Sequence, residues 1–147
     1  MREILFRGKR IDNSEWVYGN YAFTDFDNKQ YFIFQNKAFE HLVISETVGQ
    51  YTGLTDKNGK KIFEGDIIQT APKIKGCKKK LIYKFVIKYG KYTPKEYARE
   101  EYSQYETVGF YAFDGKNDFQ LSNYSNLYEI IGNIHDNPEL LKGGDEE

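Results

Sequence analysis

The residues best placed for chemistry lie in a lysine-rich stretch between Ile67 and Lys95. Nine lysines and no acid occur there: Lys73, Lys75, Lys78, Lys79, Lys80, Lys84, Lys88, Lys91 and Lys95. The whole chain has a net charge of −1, so this is a local positive field, balanced by acids elsewhere. Tyr83, Phe85, Tyr89 and Tyr92 interleave with the lysines. Ammonium groups neutralise phosphates and aromatic faces stack on bases, so this mixture suits nucleic acid, with Lys73, Lys75, Lys78, Lys79, Lys80, Lys84, Lys88 and Lys91 as the contacts. Three features weigh against it. The tyrosines alternate as a core face would. Glu96, Glu100, Glu101 and Glu106 follow closely enough to pair with the lysines. No arginine, the preferred base reader, occurs between Arg10 and Arg99. A solvated basic face is the commoner meaning of such a run.

Other constellations are thinner. Gly53 to Lys61 has five residues between its glycines, ends in Lys rather than Ser or Thr, and precedes a strand pattern. A phosphate loop needs four residues there and a helix N-terminus behind it. Asp56-x-Asn58-Gly59 has the flavour of a calcium loop, but its glycine comes too early and no glutamate closes it. His41 and His135 lack a neighbouring Cys or second His, and His135-Asp136 would need a distant carboxylate to hold a metal. Cys77 sits among Lys75, Lys78, Lys79 and Lys80, which favour its thiolate, yet no general base accompanies it. The carboxylate pairs Asp25/Asp27 and Asp114/Asp118 fall in loops, where nothing predicts the shared buried site that acid catalysis requires. The expectation is therefore no catalytic, cofactor-binding or metal-binding residue, and no enzyme.

The elements that would position these residues read mostly as strands. The chain of 147 residues is 39% hydrophobic and 17% aromatic, with 13 Tyr and 11 Phe. Aromatics fit a pleated, half-buried surface better than a helix. Period-two alternation marks Ile4/Phe6, Glu15–Phe23, Leu81–Tyr89, Thr107–Phe113 and Leu127–Ile134. Tyr31–Phe34, His41–Ile44 and Val48–Thr52 are shorter strand candidates. Leu81, Tyr83, Phe85, Ile87 and Tyr89 share one face of their strand; Ile82, Lys84, Val86 and Lys88 share the other. Asp56–Lys60 contains Asn-Gly, the strongest short hairpin signal. Ile62-Phe63 reads as a packed turn and Gly65-Asp66 as a bend, with Asp66 hydrogen-bonding backbone amides there. Trp16 reads as core, since it carries the largest apolar area. Pro94–Tyr105 fits a short exposed helix or a structured loop. Asn137 as N-cap, followed by Pro138 at the first helical position, predicts one helical turn.

A single cysteine excludes an internal disulfide and fits a reducing compartment. The first residues, MREILFRGKRI, offer no uninterrupted apolar stretch for a signal peptide, and no run approaches a membrane span. The expected location is the cytoplasm, with no membrane partner.

Four blocks resemble the YopX family: Arg2-x-Ile4-x-Phe6-Arg7-Gly8-Lys9, Trp16-x-Tyr18-Gly19, Thr47 to Ile68 (TVGQYTGLTDKNGKKIFEGDII), and Glu129 to Leu141 (EIIGNIHDNPELL). The resemblance implies phage or prophage origin, a mostly β fold and a tendency to self-associate. It implies no catalytic residues, and residues 69–126 have no matching motif. The combined expectation is mostly β. An N-terminal β-meander (1–55) is expected to pack on an SH3-like small barrel (56–142), with a short helical segment or two and a flexible acidic tail (143–147). The expected function is that of a non-enzymatic homo-oligomer, open to an unknown protein partner, with nucleic-acid binding as the alternative.

Overall fold

The computed structural model describes residues 3–36, 39–70, 76, 78, 82–96, 101–102, 105–121 and 127–141. The chain divides into two compact units, Met1–Gly53 and Leu54–Glu147. Among the described residues, the regular structure of both is almost wholly antiparallel strand, as the aromatic alternation requires.

The first unit holds β1 (Phe6–Lys9), β2 (Trp16–Phe23), β3 (Tyr31–Asn36), β4 (Phe39–Leu42) and the start of β5 (Gly49–Thr55). β1 to β4 form a meander in spatial order β4-β3-β2-β1, and β5 returns to lie beside β1. Alternate residues turn inward to a small core of Val17, Ile33 and Val43, with Phe6, Tyr21, Tyr31 and Val48 packed on it. The meander curls until its ends meet. Arg10 and Val43 form an antiparallel bridge, flanked by Ile44 N–H to Lys9 C=O (2.9 Å) and Ile11 N–H to Leu42 C=O (3.1 Å). Thr47 secures this seam: its hydroxyl donates to Ile44 C=O (2.6 Å) and accepts from Lys9 N–H (2.9 Å).

Gly19 lies inside β2 because β3 approaches closely. A Cβ there would run into the Phe34 carbonyl oxygen. Trp16 is only half-buried, a correction to its reading as core. It lies on the face opposite Val17, with the Arg7 guanidinium 4.6 Å from its ring centroid.

In the second unit, the end of β5 leads through the Asp56–Lys60 turn to β6 (Lys61–Phe63). Ile62-Phe63 is thus a short strand rather than a packed turn. β7 (Asp66–Thr70), β8 (Tyr83–Tyr92), β11 (Thr107–Phe113), β12 (Asp118–Gln120) and β13 (Glu129–Asn133) form a sheet ordered β12-β11-β8-β7-β13. Ile62, Ile68, Phe85, Ile87, Ala112 and Phe119 make its core. Each of the larger side chains, the Ile and Phe residues, contributes roughly 1.5–3 kcal/mol through burial.

Among the described residues this sheet is not closed, and the expected SH3-like barrel is not seen. Closure would pair β12 with β13, and among the described residues they stand at opposite edges. β12 went unread because three residues carry too little alternation. The segment read as helix or structured loop instead holds β9 (Lys95–Glu96) and β10 (Glu101–Tyr102), paired antiparallel. Pro138–Leu141 forms the expected single turn, as a 3₁₀ helix.

Candidate functional site

β8 carries most of the described part of the basic stretch. Lys84, Lys88 and Lys91 lie on it and Lys78 precedes it; Lys73, Lys75, Lys79, Lys80 and Cys77 fall outside the described residues. The strand is central, paired with β7 and β11. Phe85 and Ile87 are therefore buried on one face and Val86 on the other, whereas the alternation suggested one buried face.

The lysines do not form one basic face. Lys84 and Lys88 share a face, and Lys91 lies on the other. Each has its own engagement. Lys84 Nζ donates to Leu140 C=O (3.3 Å), tying the last 3₁₀ turn to the sheet. Lys88 Nζ lies 4.3 Å from the Phe113 ring centroid. Lys91 Nζ meets Glu106 Oε2 at 2.9 Å, the acid–lysine pairing expected from the following glutamates. Tyr92 is buried against Tyr111, with ring centroids 4.7 Å apart. Burial first, and then the charge of Asp118, pushes both phenols above their ordinary range.

The outer half of the β8–β11 ribbon exposes apolar surface. Tyr89 pairs with Phe110 and Lys91 with Val108 in register. The Tyr89 and Phe110 rings meet edge to face at 4.9 Å. Tyr89 is nevertheless 55% exposed and Val108 68% exposed. An apolar patch thus sits beside the Lys91–Glu106 pair. This exposed end was missed because its tyrosine continues an alternation that is core lower down the same strand.

The carboxylates in the distinctive blocks hold backbone. Asp56 is 5% exposed. Its Oδ1 accepts from Asn58 N–H and Lys60 N–H (both 2.9 Å), and its Oδ2 from Ile130 N–H (3.1 Å). Burial alone would raise its pKa; those amides, with Lys60 beside them, hold it below the ordinary value. Asp66 Oδ2 accepts from Phe63 N–H (2.7 Å), as the Gly65-Asp66 bend predicted. Gly65 adopts φ +91° there, donates to Ile87 C=O (2.8 Å) and accepts from Ile134 N–H (2.9 Å), joining the bend to two parts of the unit. Asn133 Oδ1 accepts from His135 N–H and Asp136 N–H (3.0 and 2.9 Å). Asp114 Oδ1 accepts from Lys116 N–H and Asn117 N–H (2.8 and 2.7 Å). His41 Nε2 lies 3.2 Å from Gln35 Oε1. Among the described residues, no three His, Cys, Asp or Glu side chains gather as a metal site, and no helix is long and apolar enough to cross a membrane.

These features define an antiparallel β protein of two units whose distinctive carboxylates serve the backbone. The sequence model of the YopX family, described as YopX protein, matches residues 5–142, so the chain belongs to that family. It is also similar to the crystal structure of protein EF1440 from Enterococcus faecalis. The identity is 24% and the TM-score 0.54, over 96% of this chain and 99% of that one, which supports the fold alone. No curated protein matches the chain.

Proposed function

We propose that the chain is a non-enzymatic, self-associating binding module of a phage or prophage, working in the bacterial cytoplasm. The observation that carries this reading is the apolar patch of Tyr89, Phe110 and Val108 at the end of the β8–β11 ribbon. Lys91 and Glu106 beside it have opposite charges and are both well exposed. A two-fold axis through the patch would set each lysine against the other copy's glutamate, the self-complementarity an isologous contact needs. Light scattering after size exclusion tests the reading. An assembly larger than one chain supports it, and a monomer at about 100 μM, well above the range of a stable dimer, sinks it.

A second reading is nucleic-acid binding through the lysine stretch. It is favoured by Lys84 and Lys88 sharing a sheet face with Tyr111 and Phe113. Anisotropy with single- and double-stranded oligonucleotides separates the two readings. Binding that weakens with salt and with Lys84→Glu/Lys88→Glu supports the second; salt-independent binding or none rejects it.

A further inference from the structure

The first unit carries a hollow of about 310 Å³ between the β1–β2 turn and β4, lined by Arg10, Ile11, Asp12, Phe32, Glu40, His41 and Leu42. That volume lies at the low end of small-ligand pockets, and suits one long side chain. Its floor is apolar. Phe32 and Leu42 are cross-strand partners, and Ile11 joins them through its N–H bond to Leu42 C=O (3.1 Å). Ile11 is 60% exposed and Leu42 40% exposed, so this floor faces solvent.

The charges around it are unequal. Arg10 is held by Asp12 in a bidentate pair, Nε to Oδ1 at 2.9 Å and Nη2 to Oδ2 at 2.5 Å. That hydrogen bond keeps the Asp12 carboxyl below its ordinary pKa, so the pair is ionised and internally neutral. Glu40 is exposed and makes no ion pair with a described residue. Among the described residues, the hollow therefore combines an apolar floor with one carboxylate, Glu40, that no ion pair compensates.

The backbone adds a direction. Val43 N–H bonds Tyr31 C=O, so the groups of Val43 point toward β3. Residues alternate along an antiparallel edge. Leu42 accordingly faces the outer edge, where its carbonyl takes Ile11 N–H, and Glu40 faces the same way. Its main-chain N–H and C=O stand beside the hollow, in reach of an extended segment.

We propose that this hollow receives an arginine side chain presented on an extended segment of a partner protein. The methylenes lie along Ile11, Phe32 and Leu42, and the guanidinium meets the Glu40 carboxylate. Arginine fits better than lysine because its planar head is weakly hydrated and lies flat on apolar and aromatic surfaces. Arginine is also among the residues that most often anchor interfaces.

The test uses the full chain and a fluorescein-labelled pentapeptide, Ser-Val-Arg-Val-Ser, read by anisotropy. A second peptide carries citrulline, the neutral isostere, in place of arginine. The expected result is that the arginine peptide binds about fivefold tighter, the upper value for an exposed ion pair. Glu40→Gln removes that preference while leaving the far-ultraviolet spectrum unchanged. Glu40→Arg abolishes binding of the arginine peptide, and Leu42→Ser weakens both peptides. Equal binding of the two peptides to the unaltered chain, no binding of either, or a preference that survives Glu40→Gln overturns the proposal.

Discussion

Replacing Asp56 by asparagine examines the argument that the most distinctive sequence block encodes architecture. The carboxylate accepts three backbone N–H groups, two within its own turn and one from Ile130, 74 residues away. Asparagine retains one acceptor oxygen, and its NH₂ faces the remaining donor. A buried amide left without an acceptor costs about 1–3 kcal/mol. The surviving bonds lose their charge assistance, roughly half their strength. The expected total is about 3 kcal/mol near neutral pH, or a melting point lower by about 6–12 °C for a chain of this size. Urea denaturation followed by far-ultraviolet circular dichroism measures it. Asp114→Asn is the control. That carboxylate also takes two turn amides, but it is exposed and binds no distant strand, so its loss costs about 1 kcal/mol. The pH dependence has a definite sign. Asp56 titrates below its ordinary value of 3.8 in the folded chain. Its contribution is complete above that value and is lost as pH falls through the folded pKa. The difference between the chain and Asp56→Asn should therefore shrink in acid. The reasoning fails if Asp56→Asn costs no more than Asp114→Asn, or if the difference is the same at every pH.

Two other outcomes follow from the packing. Gly19→Ala places a methyl against the Phe34 carbonyl, which is backbone and cannot rotate away. It should destabilise the first unit by about 3 kcal/mol or more, at the upper end of overpacking costs. Trp16 is the chain's single tryptophan and lies in that unit, so urea unfolding followed by its fluorescence reads the effect, and an unchanged midpoint would contradict it. Tyr92 and Tyr111 should ionise later than ordinary phenols, whose pKa is 10.0, because of burial and then Asp118. Their contribution to stability is intact below the unfolded value and is lost as pH rises through the folded one. Asp118→Asn should bring both titrations earlier in ultraviolet absorbance; no movement would remove Asp118 as a cause.

The sequence disclosed the features that act locally. Thr107–Phe113 alternates cleanly, and it forms a strand over that span. Asn-Gly in Asp56–Lys60, the Gly65-Asp66 bend and Asn137-Pro138 each made the expected turn, because their chemistry is settled within a few residues. Long-range geometry was not legible. The Arg10–Val43 bridge that curls the first unit joins residues 33 positions apart through backbone atoms of ordinary side chains. Whether the second sheet closes depends on which strands stand at its edges, and strand count alone does not decide that. Pro94–Tyr105 misled because Tyr97, Glu101 and Tyr105 fall four apart, with Tyr102 beside them, and imitate a helix face. The candidate surfaces were hidden for a related reason. Tyr89 has the same parity as Phe85 and Ile87, and only its place beyond the core leaves it exposed. The lysines looked like one field in sequence, yet strand alternation sends Lys91 to the opposite face and gives it to Glu106.

The most direct measurement of the central claim is sedimentation velocity over a concentration series, comparing the chain with Tyr89→Ser/Val108→Glu. Both positions are largely exposed in the single chain, so the double variant should fold with an unchanged far-ultraviolet spectrum. The account predicts a concentration-dependent assembly for the unaltered chain and a weaker one, shifted by at least about tenfold in concentration, for the variant, as loss of a buried apolar anchor requires. A single-chain species throughout, or an assembly indifferent to both substitutions, would contradict it.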